Sequence, residues 1–290
     1  MTKTKKPKKA TALHQKIAKQ AVKTATTKQR YTIKQKFIYG IGVAVWVFAS
    51  FALAQVLLAG FMYLLRYLHI PLPIHNTTVL ETIFAVLVYV LALVIAIGVP
   101  FWLKKYRTTL GEVGLAQTLP SWRDILLSPA VFIVAIITTG GAMLLLQSLG
   151  LSETLNLTQR QSVGFQFMTQ NYELMLAYFT LAVLAPFAEE LLFRGYMFGK
   201  LRKRLSAVAT ILLSAFLFGL LHLPGITESG VQLQWNVVID TFILAIFLGV
   251  LREFTGSIWA GILVHMIKNS LAFFLLFIAP LIWPGFNLIQ

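Results

Sequence analysis

The stretch from Glu173 to Phe198, ELMLAYFTLAVLAPFAEELLFRGYMF, decides how this chain is read. An α-helix rises about 1.5 Å per residue, so a run of this length crosses the ~30 Å hydrocarbon core of a bilayer. Yet it carries Glu189, Glu190 and Arg194 toward one end. Ionisable groups inside a membrane segment are costly and mark functional positions. Glu190 and Arg194 are four residues apart and share a helix face, so they can pair. Glu189 points about 100° away, because a helix takes 3.6 residues per turn. One ion pair therefore satisfies Glu190 and leaves Glu189 in need of another partner or a chemical role.

Comparable apolar runs lie on both sides, near 38–65, 79–103, 125–149, 205–223, 237–251 and 257–279. The run at 237–251 is short. Residues Pro280–Gln290 read as an interfacial hook or a partial eighth helix. Of the 290 residues, 58% are hydrophobic and 12% charged, which excludes an ordinary soluble enzyme. Hydrocarbon offers no water to backbone polar groups, so such spans must be helices or a closed barrel, and alternating barrel strands are absent. The expectation is an all-α, polytopic membrane bundle of about seven to eight transmembrane helices. No internal repeat supports an inverted-repeat transporter. There is no cysteine, which removes disulfides, thiol nucleophiles and thiolate metal sites.

The net charge of +15 is unevenly spread: residues 1–36 hold 12 Lys/Arg and no acid, leaving 13 basic against 10 acidic residues elsewhere. This tail, with only Leu13, Ile17 and Val22 as a weak apolar stripe, is expected to be solvated or on the membrane surface. Anionic lipid attracts it by about 1 kcal/mol per basic residue. Nucleic acid is the rival partner for such a run. It is set aside because a membrane segment follows and few aromatics interleave the lysines. Lys104, Lys105, Arg107 and Arg123 come two crossings later. Lys200, Arg202, Lys203 and Arg204 come two crossings after that, then Arg252. The intervening loops carry mainly Arg66, or Glu153, Arg160 and Glu173, or Glu228. The positive-inside rule puts every basic segment on one side: a multi-pass protein of the cell membrane with its N-terminus cytoplasmic.

Two of the five histidines fall in membrane runs. His222 closes FLFGLLH, with Phe218 four residues before it and able to cover its ring. His265 begins HMIKN, so Asn269 faces the same side. Alone, either histidine reads as a hydrogen-bonded core residue, and His265 with Asn269 as interhelical glue. Asp240 and Lys268 are lesser cases: Asp240 reads as an outer helix end, Lys268 as snorkelling or paired. Together, a carboxylate, two imidazoles and an amide can build a hydrolytic site. Glu189 takes a proton from water that one histidine orients, and the other histidine and Asn269 donate to the oxyanion. A second scheme uses Glu189, His222 and His265 to hold Zn²⁺ with an open water position. The site can thus be zinc-dependent or metal-independent.

These three segments resemble the CPBP intramembrane proteases, the CAAX-processing, bacteriocin-processing or Abi family. Its pattern EExxxR, FxxxH and HxxxN is met in order by Glu189–Arg194, Phe218–His222 and His265–Asn269. Pro186 and Gly195 flank the first, and Thr255-Gly256-Ser257-Ile258 precedes the third. The likeness covers roughly 173–275, and residues 1–172 add only hydropathy and length. Charge and hydropathy give a tail at 1–36 and N-terminal transmembrane helices at 37–172, and the resemblance implies a catalytic core at 173–290. It also implies catalytic roles for Glu189, His222, His265 and Asn269, with Glu190, Arg194 and Phe218 in support. The implied activity is an intramembrane endopeptidase, CAAX prenyl protease-like, acting on a hydrophobic or prenylated peptide or protein. Family names include "metalloprotease". The alternative is a non-catalytic membrane immunity or partner-binding protein on the same scaffold.

One tension accompanies this reading. Counted along each helix, Glu189 and His265 lie roughly 14 Å from the inner side but His222 roughly 25 Å. The resemblance requires the helix at 205–223 to begin later or to tilt strongly.

Overall fold

The computed structural model describes residues 31–72, 74–159, 163–165, 168–227 and 230–283. The basic tail before Tyr31, with Arg160, Glu228 and the segment 284–290, lies outside the described residues. The chain forms two units, Met1–Ile38 and Tyr39–Gln290.

Among the described residues seven helical rods follow one another: α1 (Ile33–Tyr67), α2 (Thr77–Lys104), α3 (Trp122–Ser148), α4 (Asn171–Leu201), α5 (Ala207–Leu221), α6 (Trp235–Thr255) and α7 (Trp259–Ile282). Five of them, α1, α2, α3, α4 and α7, are long and apolar enough to cross a bilayer, and the protein is a multi-pass membrane bundle. Between α5 and α6 an antiparallel hairpin pairs β1 (Pro224–Thr227) with β2 (Gly230–Leu233).

The starts of these helices are written locally. Thr32 and Gln35 cap each other reciprocally, so α1 begins at Ile33, inside the segment read as tail. Asn76 accepts from the Val79 amide at 3.0 Å, Ser121 and Asp124 form a capping box, and Ser206 accepts from the Ala209 amide. α5 stops at Leu221 because Leu223 precedes Pro224, and a residue before proline is pushed out of the helical region. The short rod is thus α5, at 15 residues, whereas α6 runs to 21 and closes on Gly256 at φ +69°. α7 continues through Pro280 to Ile282, where an interfacial hook or a partial eighth helix was expected to begin. Loops 104–124 and 150–172 hold turns but no helix among the described residues beyond the ends of α2, α3 and α4.

Three helices widen into π turns just before a proline: Val94–Gly98 before Pro100, Phe179–Leu184 before Pro186, and Phe274–Ile278 before Pro280. Proline lacks the N–H and its ring clashes with the carbonyl four residues back, so the preceding turn opens. A fourth π segment, Leu191–Met197, carries Arg194.

α4 is central. Leu192, Phe193, Tyr196 and Met197 bury themselves with Val47 of α1, Ala96 of α2, Ala215 and Phe218 of α5 and Ala245 of α6. A second cluster joins Ala135 of α3 to Leu244 and Leu248 of α6 and Val264 of α7. α5 and α6 approach closely at Gly219: a Cβ there would lie 3.1 Å from both the Phe242 Cβ and the Val238 carbonyl. Such small-residue contacts stand in for the hydrophobic drive that lipid does not supply.

The loop between α2 and α3 is tied to the ends of α4, α6 and α7. Arg252 donates from Nε to the Arg194 carbonyl (3.1 Å), from Nη2 to the Glu112 carbonyl (2.9 Å) and from Nη1 to the Gly256 carbonyl. Glu112 pairs with Lys200 at 2.6 Å and Lys203 at 3.0 Å. Burial disfavours the charged form of Glu112, but hydrogen bonds from Lys200 and Lys203 outweigh it and hold its carboxyl below the ordinary value. Ile258 N donates to the Gly114 carbonyl at 3.1 Å, and Trp259 Nε1 to the Gln117 carbonyl at 2.8 Å. The loop therefore covers the start of α7.

Candidate active site

The motif residues of α4, α5 and α7 converge. Arg194 Nη1 donates to Glu190 Oε1 at 2.6 Å, with both side chains wholly buried. The pair expected from their spacing is present, and it has company. His265 Nδ1 lies 3.3 Å from the same Glu190 oxygen, so Glu190 accepts from both α4 and α7. Gly261 makes room: a Cβ there would stand 3.1 Å from Glu190 Oε2.

Glu189 faces elsewhere, as the helical phase requires. Its side chain is 14% exposed and lines a cavity of about 180 Å³ together with Tyr89, His222, His265, Lys268 and Asn269. Leu181, Ala185, Ala272, Phe273, Leu276 and Phe277 supply its apolar walls. Tyr89 of α2 donates its hydroxyl to Glu189 Oε1 at 2.8 Å. The other oxygen, Oε2, stands 3.9 Å from His265 Nε2, too far for a direct hydrogen bond. A single oxygen at about 2.8 Å from each can bridge them from one side.

His222 is the residue that ends α5, at φ −94°. Its Nδ1 is 2.9 Å from the Phe218 carbonyl. A carbonyl only accepts, so Nδ1 carries a proton, and in the neutral ring Nε2 keeps a lone pair. Phe218, fully buried, does more than cover His222: its ring centroid lies 4.8 Å from that of His222 and 5.8 Å, edge to face, from that of His265. The Arg194 guanidinium stacks over it at 4.3 Å. Asn269 donates from Nδ2 to the Leu181 carbonyl at 2.8 Å, beside the π turn that precedes Pro186, and retains a second N–H. Lys268 pairs with Asp240 at 2.8 Å.

α5 begins at Ala207, two residues later than the run read from the sequence, and His222 follows its last residue. α7 starts beneath the covering loop, with Ser257 7% and Ile258 1% exposed.

The zinc scheme does not assemble. A catalytic zinc takes three protein ligands. Among the described residues no three His, Asp or Glu side chains gather closely enough to hold an ion. Glu189, His222 and His265 all line the cavity but do not form such a group.

Two participants escaped the sequence reading. Tyr89 lies in another helix, a hundred residues from Glu189, and a lone tyrosine in an apolar run carries no signal of its own. The contact of His265 with Glu190 joins two helices, and no spacing within either could reveal it.

A family model described as type II CAAX prenyl endopeptidase Rce1-like matches residues 171–271. This segment is similar to that family, in line with the resemblance carried by the three motifs. The match spans about a third of the chain, from the start of α4 into α7, and contains all three motifs. It supports a protease of the CAAX-type intramembrane endopeptidase class. No curated protein and no solved structure matches the chain. Tyr89, though it touches the Rce1-like segment through Glu189, lies outside the match.

Proposed function

We propose that this protein is an intramembrane endopeptidase in which Glu189 activates water against a peptide bond of a hydrophobic or prenylated, membrane-associated substrate. The observation that carries the reading is the placement of Glu189. One oxygen is held by Tyr89, and the other lies 3.9 Å from His265 Nε2, inside a cavity shared with His222 and Asn269. Its apolar walls suit a lipid-like or aliphatic substrate segment.

The steps follow from the donors and acceptors. Water bound at Glu189 Oε2 is oriented by the lone pair of His222 Nε2. Its proton passes to Oε2 as its oxygen bonds to the peptide carbonyl carbon. The second N–H of Asn269 donates to the resulting oxyanion. So does Nε2–H of His265 in its protonated form, with Nδ1–H directed at Glu190. The tetrahedral intermediate then collapses. The C–N bond breaks, and the amine leaves with the proton that Glu189 returns. The test is cleavage of an internally quenched hydrophobic peptide, with and without a prenyl group, by purified protein beside Glu189→Ala.

Tyr89 acts through Glu189 by fixing which oxygen faces the water. Tyr89→Phe removes one hydrogen bond to a carboxylate, an interaction of about 1.5–3 kcal/mol, and keeps the ring. kcat should fall by about tenfold or more with KM and folded yield unchanged. An unchanged kcat in that variant would remove Tyr89 from the mechanism.

The N-terminus and the loops at 104–124 and 199–205 are assigned to the cytoplasm, on the strength of their Lys/Arg excess. With no native cysteine, single replacements report directly. Glu153→Cys should react with an impermeant thiol reagent on intact cells, and Thr118→Cys only after permeabilisation. The opposite order would invert the topology.

A further inference from the structure

His265, Lys268, Asn269 and Ala272 of α7 fall at the helical spacings i, i+3, i+4 and i+7, and all four line the cavity. The mechanism above uses the first and third. Lys268 is a buried-side cation with no part in it. Its ammonium has three N–H donors, and among the described residues Asp240 Oδ2, at 2.8 Å, is its one partner. Asp240 is the more exposed of the two, 33% against 18% for the lysine side chain, and it does not line the cavity. The ammonium thus borders the cavity with donors to spare, anchored from behind by a carboxylate that water also reaches. Glu189 is the sole acidic side chain among the cavity's lining residues.

We infer that Lys268 gives this cavity a reading position for a carboxylate of the substrate, with Asp240 holding the ammonium in place until the substrate arrives. The inference rests on the peptidase reading for its geometry. One helical turn separates Lys268 from His265. An extended peptide advances about 3.3–3.6 Å per residue, so the carboxylate lies about one to three residues from the scissile bond. A terminal α-carboxylate and an acidic side chain share this chemistry, and the experiment separates them.

Binding is measured by fluorescence anisotropy on full-length Glu189→Gln protein in nanodiscs. The three probes are a hydrophobic peptide with a free C-terminal carboxylate, the same peptide as its amide, and the amide with an aspartate placed two residues after the scissile position. The acid should bind about tenfold more tightly than the amide, the low end for a hydrogen-bonded ion pair that is partly solvated. Adding Lys268→Gln should bring that ratio to about one. Lys268→Arg should keep the preference, which guards against misfolding as the cause, and Asp240→Asn should enlarge it by freeing the ammonium. If the aspartate amide matches the acid, either carboxylate is read, and if it alone binds tightly, the carboxylate read is a side chain. Equal binding of all three probes, or a preference that survives Lys268→Gln, overturns the inference. Cleavage by the wild-type chain is scored separately. A Lys268-dependent carboxylate preference without turnover would refute the peptidase reading and leave the reading position standing.

Discussion

Glu189→Gln should abolish peptide cleavage, with a loss of at least about 10³-fold in kcat, and leave the protein folded. The amide is nearly isosteric, and its oxygen can still accept from the Tyr89 hydroxyl, whose bond to Glu189 Oε1 is 2.8 Å. What it cannot do is take a proton from water. General-base catalysis contributes about 10²–10⁴-fold, and here the same group also returns the proton to the leaving amine. Stability should change little, because Glu189 makes no close ion pair: its nearest imidazole nitrogen is 3.9 Å away, and Arg194 is engaged by Glu190. The check is kcat on the quenched peptide beside a thermal unfolding curve in the same detergent. A Glu189→Gln protein that keeps more than a tenth of the wild-type rate would exclude the carboxylate as the base. A wild-type chain that cleaves no peptide would instead favour the immunity or partner-binding reading of the scaffold.

The helices were legible because their signal is local. Apolar length marks a span, and Thr32, Asn76, Ser121 and Ser206 mark four of the starts. The boundaries slipped where a tertiary partner changes the value of a charge. The run ending at 251 looked short because Arg252 and Glu253 interrupt it. In the fold Arg252 is 9% exposed and spends its donors on three backbone carbonyls, and Glu253 pairs with Arg202 at 2.8 Å, so α6 continues to Thr255. The hairpin at 224–233 is too short for an alternating pattern to stand out. Within the site, Glu190 with Arg194 and Phe218 with His222 could be read from i,i+4 spacing. Tyr89 beside Glu189 and Phe218 against His265 are contacts between helices and exist only once the bundle has packed. The zinc alternative meets the same limit: residue types do not report whether three donors share one centre, and among the described residues no three do.

Glu190→Gln should damage the fold more than any change at Glu189. Glu190 and Arg194 are 0% and 1% exposed, and among the described residues Arg194 Nε and Nη2 find no hydrogen-bond acceptor, so Glu190 is the counter-charge paired with this guanidinium. Removing one partner of a buried pair strands the other charge in a low-dielectric place and costs about 3–5 kcal/mol. Arg194→Ala should cost a similar amount, since it strands Glu190 and withdraws the cation from the face of Phe218. The combined Glu190→Gln, Arg194→Ala protein should fall short of the sum by about 1–3 kcal/mol, the coupling expected within one network. Unfolding midpoints of the three variants in detergent measure it. Glu190 also touches His265 Nδ1 at 3.3 Å, so surviving folded Glu190→Gln protein should turn over more slowly, its imidazole no longer oriented by a carboxylate. Arg194→Ala keeps that contact, so its folded fraction should retain more activity than Glu190→Gln. If Glu190→Gln were well folded and wholly inactive while Glu189→Gln stayed active, the two carboxylates would have exchanged roles. The buried one would then be the base, reached through His265.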